Sequence, residues 1–544
     1  MDRKFVVIFG FLVVSVSSLI GGFFGRIPSS GTFTEEGGIS AETIKSDYKE
    51  AIRVIEENYA GSIDYEKLSE SSIQSMLWSL DPHSSFLNRA EFKRLREEQS
   101  SRFFGIGVSI LRHRDGVYIQ SVIPGTPAEK AGLRYGDKFL EVDGKDATGW
   151  SSAEVSKNVR GERGTTVRLK MERAGEATPL EFEIVRDGVP LPSIRNYFML
   201  KDDVGYIGLI GGFQETTAVE LDKAIESLKK QGMKQLILDL RNNPGGLLPQ
   251  AVEVASRFIP KGKVIVSVKG RSRYAVSEDL LSRRDRIETF PLVVLINGAS
   301  ASASEIVAGA VQDHGRGLVV GTESFGKGLV QKVFELPMGA AITLTTARYY
   351  TPFGRSLQRD YSNGSIYDYY VHHLEDEEQK VNEGQIIRTA DGRTFYSGRG
   401  ITPDVKVEPL EFDPTRYRIN ESIFYFTRLL VAGKIAGLES YRVERQKNIS
   451  VVQPGEFPVT EKLLNAFREF VEKDKLDGLT VETINKNLDY VKVRLRQEIV
   501  TASYSSEAGA QVFLEIDPQV RKAVEVLPEA KKLAERTGIL KNFG

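Results

Sequence analysis

Ser300, Ser302 and Ser304 alternate with alanines in the run SASASE, which follows the apolar segment 292–296 through Asn297-Gly298. Residues 305–310 are helix-like, so the three hydroxyls crowd a strand-to-helix corner. There the unpaired backbone N–H groups and the positive end of the helix dipole face whatever a hydroxyl attacks, which suits a developing oxyanion. A second apolar segment, 317–320, leads to Lys327, which stands between Gly326 and Gly328 and beside Phe325 and Leu329. An ammonium drawn into such an apolar pocket loses its charge readily. Lowering its pKa from about 10.4 towards about 7 costs about 4 kcal/mol, within the range of buried lysines. A serine served by that base needs no histidine.

The elements that must position these groups follow from periodicity. Residues 204–210 and 235–240 read as strands, 216–230 and 247–258 as helices, and Gly245-Gly246 closes the second strand, where backbone can approach a ligand closely. After Lys327 the pattern alternates again, as strands through 342–346. Upstream, residues 104–186 alternate short apolar runs with turn signals, and VIPGTPAEKAGLRYGDKFLEVDG within them resembles a PDZ module. Such modules add a peptide C-terminus as a strand and hold its carboxylate on backbone amides. Phe104, Gly105, Ile106, Gly107 and Val108 match the carboxylate-loop position. Arg160 is a candidate contact to substrate or to the catalytic face, against the plainer reading of a solvated loop arginine.

SASASE followed by ESFGKGLVQ resembles the carboxyl-terminal processing proteases, serine peptidases with a Ser/Lys dyad. LDPHSSFL (80–87), FGIGVSI (104–110), LDLRNNPGG (238–246) and GRGITPDV (398–405) match landmarks of that family in family order, so the resemblance covers roughly residues 45–410. It implies Ser302 as nucleophile, Lys327 as general base and Gln331 as the residue that orients the lysine. It also implies an oxyanion site made by an amide of Gly245 or Gly246 with that of Ala303. No cofactor and no metal is called for. The expected partners are substrates with free C-termini, an adaptor protein, and further copies of the chain.

Length and composition fit this reading. A chain of 544 residues is too long for one core. The expected architecture is multidomain α+β: a membrane anchor or signal (1–26), a Gly/Ser/Pro linker (27–40), a helical N-terminal region (41–101), the PDZ-like β-rich domain (102–188), an α/β peptidase core (189–411) and a helical C-terminal region (412–544). For the two helical regions, packing and dimerisation are the expected roles. The net charge of −1 gives no electrostatic reason to expect nucleic acid, and the lack of cysteine excludes disulfides and thiolate catalysis. Residues 5–25 are uncharged and apolar after a basic start; as a helix they reach about 31 Å, enough to cross a bilayer core. The positive flank then stays in the cytoplasm, anchoring the chain to the inner membrane with the catalytic part in the periplasm.

Rival chemistries fit less well. Gly321 to Lys327 has the spacing of a phosphate-binding loop, but Gly328 stands where magnesium needs Ser or Thr, and a strand-like pattern follows. No G-x-S-x-G surrounds the serines. Asp313 and His314 are the only nearby partners for a triad, and they lie at the far end of the helix. His372-His373 stands among acidic residues that mark a solvated loop better than a metal site. A catalytically inactive PDZ scaffold is the alternative from another functional class.

Overall fold

The computed structural model describes residues 40–270, 277–361, 369, 386–388, 392–447, 449, 451–453, 455–474 and 478–540. The expected anchor, most of the linker, and His372-His373 lie outside these residues. The chain divides into two compact units, Met1–Ser72 and Ile73–Gly544. The first holds helix α1, Ala41–Asn58, none of whose residues is buried. Helix α2, Tyr65–Trp78, straddles the division.

In the second unit, β1 (Ser85–Leu87) precedes α3 (Arg89–Gln99), whose start is fixed by a reciprocal Asn88–Glu91 capping box. The β-rich module follows. Its ends are tied together where β2 (Arg102–Gly105) pairs with β9 (Asp187–Pro190). Between them β3 (Val108–His113), β4 (Gly116–Val122), β5 (Lys138–Val142), β7 (Thr166–Glu172) and β8 (Leu180–Val185) form an antiparallel sheet in that order, with β6 (Lys145–Asp146) on β5. Helices α4 (Pro127–Ala131) and α5 (Ser152–Val159) complete it, and β3 is left as an edge strand.

The serine and lysine corners are carried by a six-stranded sheet. Its order is β10 (Ile194–Lys201), β11 (Val204–Leu209), β12 (Gln235–Asp239), β15 (Leu292–Ile296), β16 (Leu318–Gly321) and β21 (Val405–Lys406), parallel except for the edge strand β10. On β15, Leu292, Val294 and Ile296 pack on one side with Ile306 and Val307 of α8 (Ala303–Asp313), and with residues of α6 (Thr217–Lys230) and α7 (Leu248–Ala255). Val293 and Leu295 pack on the other side with Val520, Ala523 and Leu527 of α14 (Pro518–Arg536). With both faces covered, the strand reads as an unbroken apolar run. Three loops leave the C-terminal ends of parallel strands β12, β15 and β16, where ligand sites of open α/β sheets lie. They contain Gly245-Gly246, Ser302 and Lys327.

A second sheet runs β1-β18-β13-β14, with β17 also on β18; its core strands are β13 (Val264–Lys269), β14 (Glu278–Leu281), β17 (Leu329–Glu335) and β18 (Ala341–Tyr350). A small hairpin pairs β19 (Ile386–Arg388) with β20 (Thr394–Tyr396).

Helices α9 (Pro414–Val431), α10 (Glu461–Lys473), α11 (Val481–Lys486), α12 (Leu488–Ser503) and α13 (Ser506–Leu514) precede α14. The sequence predicts one helix over 480–497. The chain breaks it at Asn487, whose N–H turns to Ile484 O (3.1 Å) and whose side-chain amide donates to Thr483 O (3.0 Å). These helices touch both other parts of the unit. His113 of the β-rich module stacks on Phe424 of α9 with centroids 3.5 Å apart, and its Nδ1 lies 2.8 Å from Glu421 Oε1. Tyr135 donates to Glu498 of α12 at 2.7 Å. The C-terminal region therefore packs against the module with α9 and α12, and against the six-stranded sheet with α14.

Candidate active site

Ser302 ends the loop after β15 and stands at the N-cap of α8, with φ 55° and ψ −112°. Backbone of that kind in a non-glycine residue costs about 1–3 kcal/mol and persists only where its surroundings over-determine it. The surroundings are dense. Ser302 N–H donates to Glu305 at 2.8 Å, and Ala301 N–H to Asn243 O at 3.0 Å. The neighbouring serines are committed elsewhere: Ser300 Oγ donates to Leu240 O (2.8 Å) and Ser304 Oγ to Asn243 O (3.0 Å), both from buried positions. The Ser302 side chain is only half-buried and faces the Tyr349 phenol.

Lys327 is reached through the loop after β16. Burial pushes its ammonium below the ordinary lysine value, opposed by the charges of Glu305 and Asp81. Its Nζ donates to Gln331 Oε1 at 2.8 Å, and Gln331 Nε2 donates in turn to His83 O. Tyr349 donates to the Lys327 carbonyl. Among the described residues no hydrogen bond joins Ser302 Oγ to Lys327 Nζ. The two residues are joined instead through Glu305, which accepts from the backbone N–H of each, at 2.8 and 2.9 Å.

Gly245 and Gly246 have φ of 99° and 144°. A Cβ on Gly245 would stand 2.7 Å from Ser302 Cβ and 3.0 Å from Ala303 N, so the glycine lets the loop lie against Ser302. Its own N–H is taken by Asn243 Oδ1 at 2.9 Å. That occupation removes Gly245 as an amide donor in this arrangement. The N–H groups of Gly246 and Ala303 have no acceptor among the described residues. The same loop is anchored from two directions. Asn242 N–H and Asn297 Nδ2 donate to each other's side-chain oxygens, both at 2.9 Å. Arg241 forks between Asp239 (2.6 Å) and Asp517 at the start of α14 (2.7 Å).

Three contributors went unassigned from the sequence. Glu305, wholly buried, accepts from Ser302, Ser324, Gly326 and Lys327. His83 sits against Phe325 and Tyr369 rings, and its Nε2 lies 2.9 Å from the Tyr369 hydroxyl. Burial, then the nearby Lys327 charge, lowers its pKa to about 3, so it stays neutral. Asp81 shapes that turn, accepting from His83 N–H and Ser84 N–H at 2.8 Å each. Residues 81–87 were expected only to pack or dimerise; they instead meet Gln331 and pair with β18 because β1 joins the catalytic half. His314 caps the far end of α8, about 18 Å of helix from Ser302, with Nε2 2.7 Å from Val264 O. Asp313 pairs with Arg355. Among the described residues no Ser/His/Asp triad forms, and β17 follows Lys327 where a phosphate loop needs a helix.

In the β-rich module a pocket of about 140 Å³ opens between β3 and α5, lined by Ile106, Gly107, Val108, Phe139, Val159 and Arg160 among others. Phe104 and Gly105 lie in β2 beside it. Arg160 is not a solvated loop residue: its guanidinium lies 4.3 Å over the Phe103 ring, and its charged neighbours Arg94, Glu97 and Glu98 belong to α3.

The sequence matches the family model of peptidase family S41 over residues 203–371 and that of the PDZ domain over 105–184. It is 42% identical over 299 residues to a carboxy-terminal-processing protease of Bartonella bacilliformis, covering 54% of this chain and 68% of that one. It is 38% identical over 311 residues to carboxy-terminal processing protease CtpA of Bacillus subtilis, covering 57% and 66%. A solved photosystem II D1 C-terminal processing protease is 28% identical, with 66% of this chain and 86% of that one covered at a TM-score of 0.36.

Proposed function

The chain belongs to the carboxy-terminal-processing proteases of peptidase family S41, serine-type peptidases, and from that premise we propose that it captures C-terminal tails on its PDZ domain and cuts the same polypeptides at Ser302. The observation that carries the reading is the buried, pKa-lowered Lys327 held by Gln331, together with a Ser302 hydroxyl that, unlike those of Ser300 and Ser304, has no backbone acceptor among the described residues. Ser302 Oγ attacks the scissile carbonyl while neutral Lys327 takes its proton. The amides of Gly246 and Ala303 receive the oxyanion. Lys327 then returns the proton to the leaving amine, and water, deprotonated by the same lysine, releases the acyl group.

Tail capture is supported by the free edge of β3 and the apolar pocket beside Gly107. A tailed peptide with a free carboxylate should be cut with a lower KM than the same peptide amidated at its C-terminus. Equal KM values would remove the tail from recognition.

We place the chain in the cell envelope, held to the inner membrane by residues 5–25, with the catalytic part in the periplasm. Support is the length and apolarity of that run; among the described residues no helix is long and apolar enough to cross a membrane. Fractionation of the full chain tests it, since recovery without detergent would contradict an anchor. Dimerisation belongs to the same proposal. Ile44, Tyr48, Ile55 and Tyr59 recur at helical spacing along and just past α1 and are 36–63% exposed, an apolar face for a second copy. Ile44→Asp should then lower the mass measured by light scattering. An adaptor protein is a further proposed partner, with no surface assigned to it.

A further inference from the structure

We propose that Glu305 is a positioning residue of the catalytic reaction: its carboxylate holds the Ser302 backbone and the Lys327 loop in one frame and faces Lys327 with its charge. The proposal rests on the Ser302/Lys327 reading above. Glu305 is the third residue of α8, and a glutamate there ordinarily reaches back to the N-cap amide, as this one does to Ser302 N–H at 2.8 Å. Capping accounts for that contact alone. The remaining three come from a segment about twenty residues onward: Ser324 Oγ at 2.6 Å, Gly326 N–H at 2.7 Å and Lys327 N–H at 2.9 Å.

A helix cap at the surface costs nothing to desolvate, whereas this carboxyl is fully buried, and burial raises its pKa to about 7 against the pull of its four donors. Such an environment suits a group that joins two loops better than one that only starts a helix. Ser324 strengthens the frame, since its Oγ also accepts from Ile401 N–H at 2.6 Å. The strained Ser302 backbone is held by the same carboxylate that fixes the base's main chain, so the two reacting side chains keep their separation when either loop is disturbed.

Charge supplies the distinguishing readout. Lys327 is faced by Glu305 from α8, by Asp81 and the neutral His83 from the 81–84 turn, by the Tyr349 phenol from β18, and by Gln331 from β17. Arg359, stacked over Phe325 and Tyr369, is the nearby cation. Above about pH 7 Glu305 is ionised and favours the charged lysine. Removing that charge therefore makes Lys327 easier to deprotonate.

The test is the pH profile of kcat/KM for the full chain on a tailed peptide, with Glu305→Gln, Ser324→Ala and Lys327→Ala, each checked for folding by thermal unfolding. In Glu305→Gln, kcat falls tenfold or more because an amide cannot accept from four donors. The rising limb moves about one pH unit lower because an anion beside the lysine has gone. Ser324→Ala, which keeps the carboxylate and removes its shortest contact, should show a smaller loss of kcat with KM unchanged and the limb in place. A limb that stays in place or moves higher in Glu305→Gln overturns the proposal, leaving Glu305 a helix cap. Should Glu305→Gln fail to fold, Ser324→Ala decides: a kcat equal to that of the unaltered chain overturns the proposal. An active Lys327→Ala enzyme sinks the dyad reading itself, a distinct result from an unshifted limb with Lys327→Ala inactive.

Discussion

Lys327 Nζ donates to Gln331 Oε1 at 2.8 Å, and Gln331 is held from behind by the carbonyl of His83, a residue 248 positions earlier in the chain. A lysine ammonium offers three donors on a flexible stem, so a fixed acceptor decides where it points. Without it the lysine keeps its place in the loop but loses that fixed direction.

Gln331→Ala should therefore lower kcat by about ten- to a hundredfold, the scale of a misplaced proton acceptor, with KM nearly unchanged. Steady-state kinetics on a short peptide measure it. A rise in KM alone would move Gln331 from the base to substrate binding.

Activity should rise with pH along a limb centred below the ordinary lysine value of about 10.4, because burial disfavours the charged lysine and only the neutral form is a base. The sign for stability follows. A lowered folded-state pKa means the unfolded chain holds the proton more tightly, so stability from Lys327 is present above its unfolded value and is lost as pH falls through the folded one. Glu305 acts oppositely: with its pKa raised to about 7, its contribution is full below its unfolded value and fades as pH rises through about 7. His83, near 3, adds no limb around neutrality. His314→Ala should leave the profile intact; a limb near 6.5 lost in that variant would favour a histidine base.

The PDZ domain is clamped to the C-terminal helices by His113 on Phe424 and by Tyr135 on Glu498. Phe424→Ala removes a fully buried ring and should cost about 3–5 kcal/mol in chemical denaturation. If the domain also gates the site, the same variant changes turnover of an untailed peptide. Unchanged turnover with the expected destabilisation would confine the domain to tethering.

How much of this was legible in the sequence depends on range. Local signals did well: the unbroken apolar run of β15, the glycines around Lys327, and the turns of the PDZ domain each mark an element where one stands. The Ser302-x-x-Glu305 spacing is a capping-box pattern and was a usable sign for Glu305, though not for its three contacts from 324–327. The His83 contact to Gln331 and the Arg241 fork to Asp517 join residues hundreds of positions apart, which periodicity does not reach. The helices of 412–540 were visible as amphipathic. An apolar stripe says that a face is buried and not against what, so the packing of α14 on the peptidase sheet was invisible.

The central claim is that Ser302 is the nucleophile and Lys327 its base. Labelling the chain with a fluorophosphonate and mapping the adduct by mass spectrometry tests it most directly, because the reagent modifies only an activated hydroxyl. The adduct should fall on Ser302, survive in Ser300→Ala and Ser304→Ala where those variants fold, and disappear in Lys327→Ala. An adduct on Ser300 or Ser304, or one on Ser302 undiminished in Lys327→Ala, would contradict the account.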